Sequence, residues 1–196
     1  VVLHRLGSTR QLVTEERDYS FPNQATAVVF GGIQYDMDSL ALFSAVQALH
    51  KTSRAAAPES FRGAEGKAWS YLQWTEIEAK SVSALLTKAG ARVQMRQGYA
   101  ACEESFSGLG ESDYAPDILH LATHAFFFPA PKIKPAVVIE PSAKPVFQTA
   151  TQPLMRSGLI LAGANRAWTS GKSLDGFDDG ILTSYEISQM NLGSTG

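Results

Sequence analysis

One cysteine, Cys102, is all this 196-residue chain has, so no internal disulfide can form and a hydrophobic core must hold the fold. The lone thiol is compatible with a reducing compartment, and a cytoplasmic location is expected. Long hydrophobic runs are missing as well. None approaches the roughly 18 residues that cross a bilayer as a helix, so no membrane partner is expected. Charge of one sign is also lacking. The 17 Lys and Arg nearly balance the 19 Asp and Glu, for a net charge of −2. That gives no electrostatic pull toward nucleic acid, and no basic–aromatic interleaving marks a base-stacking surface. Gly31-Gly32 is not a Gly-x-Gly-x-x-Gly fingerprint and no Walker lysine follows it, which sets a nucleotide-binding domain aside. The first residue is Val1 rather than Met, so the chain reads as an excised piece and missing targeting signals carry little weight.

What is present is enough for one core: 44% of residues are hydrophobic and 18% charged, most simply a single domain over residues 1–196. Ala25–Phe30 is apolar and β-branched and then meets Gly31-Gly32, which predicts a central strand ending in a loop. A short strand over Val1–Leu6 and a short helix over Ser8–Glu16 are expected before it. Asp38–His50 spaces Leu40, Leu42, Phe43, Val46 and Leu49 as a helix does, and Lys51–Ala68 reads as a loop. Thr75 with Glu78 forms a capping-box pattern that opens a helix to Lys88, with Ile77, Val82, Leu85 and Leu86 on its apolar face. Arg92–Met95 is a further strand and Ala100–Leu109 a helix. Six prolines between 129 and 153 predict an excursion carrying an edge strand at Ala136–Ile139. Ser157–Ala164 is a buried strand, Trp168–Asp179 a polar loop with a turn at Asp179-Gly180, and Leu182–Met190 a helix. Strand–helix–strand units in succession predict an α/β fold: a mostly parallel sheet with helices on its faces. Ala27–Phe30, Arg92–Met95, Ile118–His124 and Leu159–Ala162 are expected as neighbouring central strands.

The segment Asp117-Ile-Leu-His-Leu-Ala-Thr-His-Ala125 carries the chemistry. Pro116 and Asp117 open an apolar run that ends in a histidine. Alternation along a strand puts His120, Ala122 and His124 on one face. His124 then stands at the strand's carboxyl end, where open α/β sheets place their chemistry and where an imidazole suits acid–base work near neutral pH. The competing reading is a core strand with one packed and one exposed histidine. The pattern argues against zinc: the familiar His-x-x-x-His metal pair needs a helix with a glutamate after the first His, and here Leu121 occupies that place on a strand. No metal and no cofactor are expected.

Four segments, in order, resemble the CHAT family of caspase-like domains, often attached to TPR repeats. They are Leu6–Leu12, Trp74–Ala79, Asp117–His124, and Pro153–Asn165 followed by Asp179–Ile187. The resemblance implies a caspase-like three-layer α/β sandwich and a cysteine endopeptidase with a His–Cys dyad. It carries His124 over as the dyad histidine and Ala125 as the residue whose backbone N–H helps hold the oxyanion. The family commonly has glycine there; alanine keeps the donor, and its Cβ matters only where the backbone needs a positive φ. The family's cysteine follows one further strand, beyond Gly196. Cys102, with two glutamates directly after it, is read as an ordinary helix-surface or packing residue. The resemblance also places Tyr35, Asp36 and Asp38 in the region that binds the substrate residue before the cut, where a carboxylate suits a basic side chain. Asn165, after the late strand, reads either as a residue at the rim of the pocket or as a turn asparagine. Expected partners are a protein or peptide substrate, the cysteine-bearing segment and TPR repeats. The alternative is a non-catalytic scaffold or interaction domain that keeps the fold without the enzyme.

Overall fold

The computed structural model of the chain describes residues 24–49, 67–109, 115–130, 147 and 150–192. The elements expected at Val1–Leu6, Ser8–Glu16 and Ala136–Ile139, and all but the last two residues of the Lys51–Ala68 loop, lie outside those residues. In chain order the elements are β1 (Thr26–Ile33), α1 (Ser39–Ala48), α2 (Gln73–Lys88), β2 (Arg92–Gly98), α3 (Glu103–Ser107), β3 (Ile118–Leu121) and β4 (Ala125–Phe127). A 3-10 turn (Pro153–Arg156) then leads to β5 (Ser157–Ile160), α4 (Ala164–Ser170), β6 (Ile181–Thr183) and α5 (Ser184–Ser188).

The architecture is mixed α/β. β1 is the middle strand of a parallel sheet ordered β2-β1-β3. Its Ala-Val-Val-Phe run is apolar on both sides because both sides are covered. Val29 pairs with His120, and on that face α2 brings Glu78 to His120 and buries Ala79. Phe30 points the other way, its ring 5.7 Å from that of Phe106 in α3, and Leu42 and Val46 of α1 join the same core cluster.

Only three of the four expected neighbours share this sheet. The fourth, β5, is the middle of a second, antiparallel sheet ordered β4-β5-β6. An apolar run reports burial and carries no information about strand direction, which the connections decide. Ile118–His124 is likewise not one strand: β3 stops at Leu121 and the chain changes sheets before β4 begins.

Other departures have local causes. β1 does not end at Gly31-Gly32 but runs to Ile33 through a register shift after Phe30. A Cβ on Gly31 would stand 2.7 Å from the Cβ of Ala79, so glycine is what lets α2 approach the strand. At that distance the face that packs is the one bearing alanine. Ile77 and Leu85, expected in the core, are 54% and 67% exposed. Thr75 is not the N-cap. Leu72 is, while the Thr75 hydroxyl accepts the Gly32 N–H at 3.1 Å and donates to the Leu72 carbonyl.

The helix expected over Ala100–Leu109 shrinks to α3. The carboxylates of Glu103 and Glu104 are buried there and accept the backbone N–H groups of Gly180 and Asp178. The expected strand Ser157–Ala164 gives way at Gly163 (φ +78°) to α4, which also takes the start of the expected loop. The expected helix Leu182–Met190 starts later, at Ser184, because β6 ends in Thr183, the N-cap of a capping box with Glu186. Pro129 lies outside any strand and Pro153 opens the 3-10 turn. Among the described residues no helix is long and apolar enough to cross a membrane.

Candidate active site

The two sheets meet at Ala122–His124. Ala122 donates its N–H to the Phe30 carbonyl at 3.0 Å, keeping the chain on β1 one residue past β3. His124 accepts the Ile160 N–H on its own carbonyl at 3.0 Å, and so already belongs to β5. Between them the Thr123 hydroxyl donates to the Ile160 carbonyl and receives the Tyr35 hydroxyl at 3.0 Å. The histidine is thus held on a seam bonded from both sides, past the carboxyl end of β3.

Its ring is half-buried and touches two aromatics, Tyr35 at 5.0 Å and Trp69 at 4.8 Å between centroids. Nε2 lies 2.9 Å from the Ser70 carbonyl oxygen. A carbonyl only accepts, so in the neutral ring Nε2 carries the proton and Nδ1 the lone pair. That leaves Nδ1 as the atom able to take a proton from a nucleophile. Tyr35 is 2% exposed, and burial pushes its phenol up, so it is a neutral hydrogen-bond donor to Thr123 across the physiological range.

Ala125 opens β4 opposite Leu159. The bond from Ile160 to His124 makes Ala125–Leu159 a non-hydrogen-bonded pair, whose N–H and C=O groups point away from the partner strand. The Ala125 N–H therefore stays out of the β4–β5 ladder, on an exposed residue beside His124. The only non-glycine residue with positive φ among those described is Gln24, so the alanine is under no strain.

Asp36 and Asn165 come together. The Asn165 amide donates to the exposed Asp36 carboxylate at 2.7 Å. The same amide bonds the Trp69 main chain twice, accepting its N–H at 2.7 Å and donating to its carbonyl at 3.0 Å. Asn165 is only 5% exposed, so it lies beneath the surface with Asp36 above it. Asp38 is the N-cap of α1, accepting from Leu40 and Ala41. His120 faces α2, its Nε2 3.1 Å from Glu78 without hydrogen-bond alignment. Among the described residues no group of three or more His, Cys, Asp or Glu comes together to hold a metal.

A family model described as CHAT domain matches residues 5–195. The chain belongs to the CHAT domain family. No curated protein and no solved structure matches it. The CHAT domain is related to the caspase-like peptidases, and against that background Cys102 has a clear place. It is 1% exposed, at the N-cap of α3, and burial, reinforced by the charge of Glu104, pushes its thiol up to about 12. A thiol so held is a packing group, not a nucleophile. Trp69 and Ser70 are the residues that the sequence did not reveal as part of this CHAT site. Trp69 is one of three tryptophans and adjoins a stretch read as loop, a signal strong enough to have marked it. Ser70 contributes a backbone carbonyl, which every residue has.

Proposed function

We propose that this CHAT domain is the histidine-bearing part of a cysteine endopeptidase of caspase-like type. It is one domain over residues 1–196 with a caspase-like three-layer fold, and acts in the cytoplasm on a specific protein partner. The cysteine comes from sequence beyond Gly196, since Cys102 is buried and protonated. Nδ1 of His124 takes the thiol proton, the thiolate attacks the scissile carbonyl, and His124 returns the proton to the leaving amine. The backbone N–H groups of Ala125 and of the cysteine hold the oxyanion. Water then hydrolyses the thioester. TPR repeats of the same protein present the substrate, and Asp36 suits a basic side chain before the cut.

One observation carries the reading: an imidazole whose Nε2 is held by a carbonyl at 2.9 Å stands beside the N–H of an exposed alanine, left out of its ladder. A base and an oxyanion donor at one strand end is the pairing that acyl transfer needs. The second reading, a non-catalytic interaction domain, is favoured by the burial of the sole thiol in these 196 residues. The test uses the protein carrying the sequence past residue 196. A cysteine at the end of the next strand is expected, and replacing it or His124 with alanine should abolish peptide-library cleavage without changing the melt. His120→Ala should keep cleavage and cost at most about 1 kcal/mol, because its pair with Glu78 is partly exposed. Another residue in the cysteine's place, or no cleavage by the unaltered protein, would decide for the scaffold; cleavage that survives His124→Ala would overturn the role given to that histidine.

A further inference from the structure

We propose that Asn165 is the positioning residue of this site: its buried amide sets the loops that fix the tautomer and orientation of His124. Asn165 is 5% exposed and each polar group of its side chain is used. Burial of an amide is favourable only when its hydrogen bonds are made, and which groups make them shows what the residue is for. Its partners are not the core but two loops. One is the turn after β1, where the Tyr35 carbonyl takes the Asn165 backbone N–H at 2.9 Å and Asp36 takes the side chain at 2.7 Å. The other precedes α2, where Trp69 is bonded at both its N–H and its carbonyl.

Each loop delivers a contact to His124. Tyr35 and Trp69 touch its ring, and Ser70, the next residue after the doubly bonded Trp69, supplies the carbonyl that holds Nε2. Among the described residues the Trp69 indole N–H is buried without a partner. Packing for stability alone selects against such a group. Its persistence fits a tryptophan pinned for what its ring and the following carbonyl do to the histidine. Gly163 makes the placement possible, since its positive φ of +78° turns the chain from β5 into α4 and leaves Asn165 in the first turn facing both loops.

The catalytic consequence rests on the peptidase reading; the consequence for the imidazole does not. The first measurement is therefore nitrogen-15 NMR of the His124 ring in the 196-residue chain. Wild type should show the Nε2–H tautomer. Asn165→Ala should give a mixture of tautomers, with a cooperative melt retained. Asn165→Asp faces Asp36 with a second carboxylate and should behave alike. Asp36→Asn added to it restores a donor and should recover part of the wild-type signal even if Asn165→Ala fails to fold. In the intact protein, Asn165→Ala should lower kcat at least tenfold with KM within about twofold. A melt that falls while the His124 tautomer stays as in wild type would overturn the proposal. So would an Asn165→Asp, Asp36→Asn pair no closer to wild type than Asn165→Asp alone. A tautomer shift in a protein that cleaves nothing would uphold the positioning role and sink the peptidase reading.

Discussion

His120 and His124 are the same residue type, four positions apart, both turned toward the stretch that forms or precedes α2. What separates them is the atom each meets. His120 meets a carboxylate on a partly exposed helix surface, a contact made without hydrogen-bond alignment. His124 meets a backbone carbonyl, which fixes a tautomer and leaves one nitrogen for chemistry. The sequence marks His124 through its apolar run and its break, but cannot mark the Ser70 carbonyl, a group common to all residues. Cys102 is legible in part: the two glutamates beside it argue against a thiolate, and the structure adds burial as the larger cause. A raised thiol pKa favours the protonated fold. Its contribution to stability is therefore whole below the ordinary value of 9.0 and is lost as pH rises from there toward about 12. Cys102 should accordingly resist a thiol reagent at pH 8 in the native protein and react fully in denaturant. Stoichiometric native labelling at that pH would contradict the burial assigned to it.

At the scale of elements, long apolar periodicity is read well and termini poorly. α1 falls within the expected Asp38–His50, and Asp38 caps it as its side chain and position require. α2 exists where expected, yet its buried face is the one that carries Ala79, not the one that carries Ile77 and Leu85. Hydrophobicity ranks residues by preference for burial. It does not weigh the gain from bringing a helix backbone close to a strand, which here needs a glycine below and an alanine above. The short α4 and the strand β6 escape notice because seven and three residues are too few for a period to emerge. The Gly31 contact gives this a measurable form. Gly31→Ala would set a Cβ 2.7 Å from Ala79, so the helix must move off the strand. The expected cost is about 1–3 kcal/mol, the usual range for overpacking, read as a lower denaturation midpoint at unchanged slope. Gly90→Ala, with no atom within 4 Å of the new Cβ, meets only the strain of its φ of +90° and separates backbone strain from crowding. A Gly31→Ala protein as stable as wild type would mean that α2 does not sit against β1 as described.

At the scale of the whole molecule, the site is a product of topology more than of any one motif. Three parallel strands end, one of them hands the chain to an antiparallel sheet, and the histidine sits on the hand-over with loops from β1 and from before α2 closing around it. The α/β class and most strands were legible from apolar runs. The division into two sheets was not, because strand direction leaves no trace in hydrophobic pattern, and so neither was the company that Asp36, Trp69 and Asn165 keep. The same topology accounts for what this chain should fail to do. It brings the His124 imidazole and the Ala125 N–H to one point and buries its only thiol at the N-cap of α3, with the carboxylates of Glu103 and Glu104 buried in that short helix. Hydrolysis through an acyl-enzyme needs a thiolate at the base, and a thiol pushed up to about 12 supplies almost none near neutrality. The 196-residue chain, offered a peptide library at pH 7–8, should therefore show no turnover above that of its His124→Ala variant. Turnover that disappears in Cys102→Ala would overturn both the burial of that thiol and the assignment of the nucleophile to sequence beyond Gly196. Turnover unaffected by either substitution would point to a contaminating peptidase, which a second purification distinguishes from the protein itself.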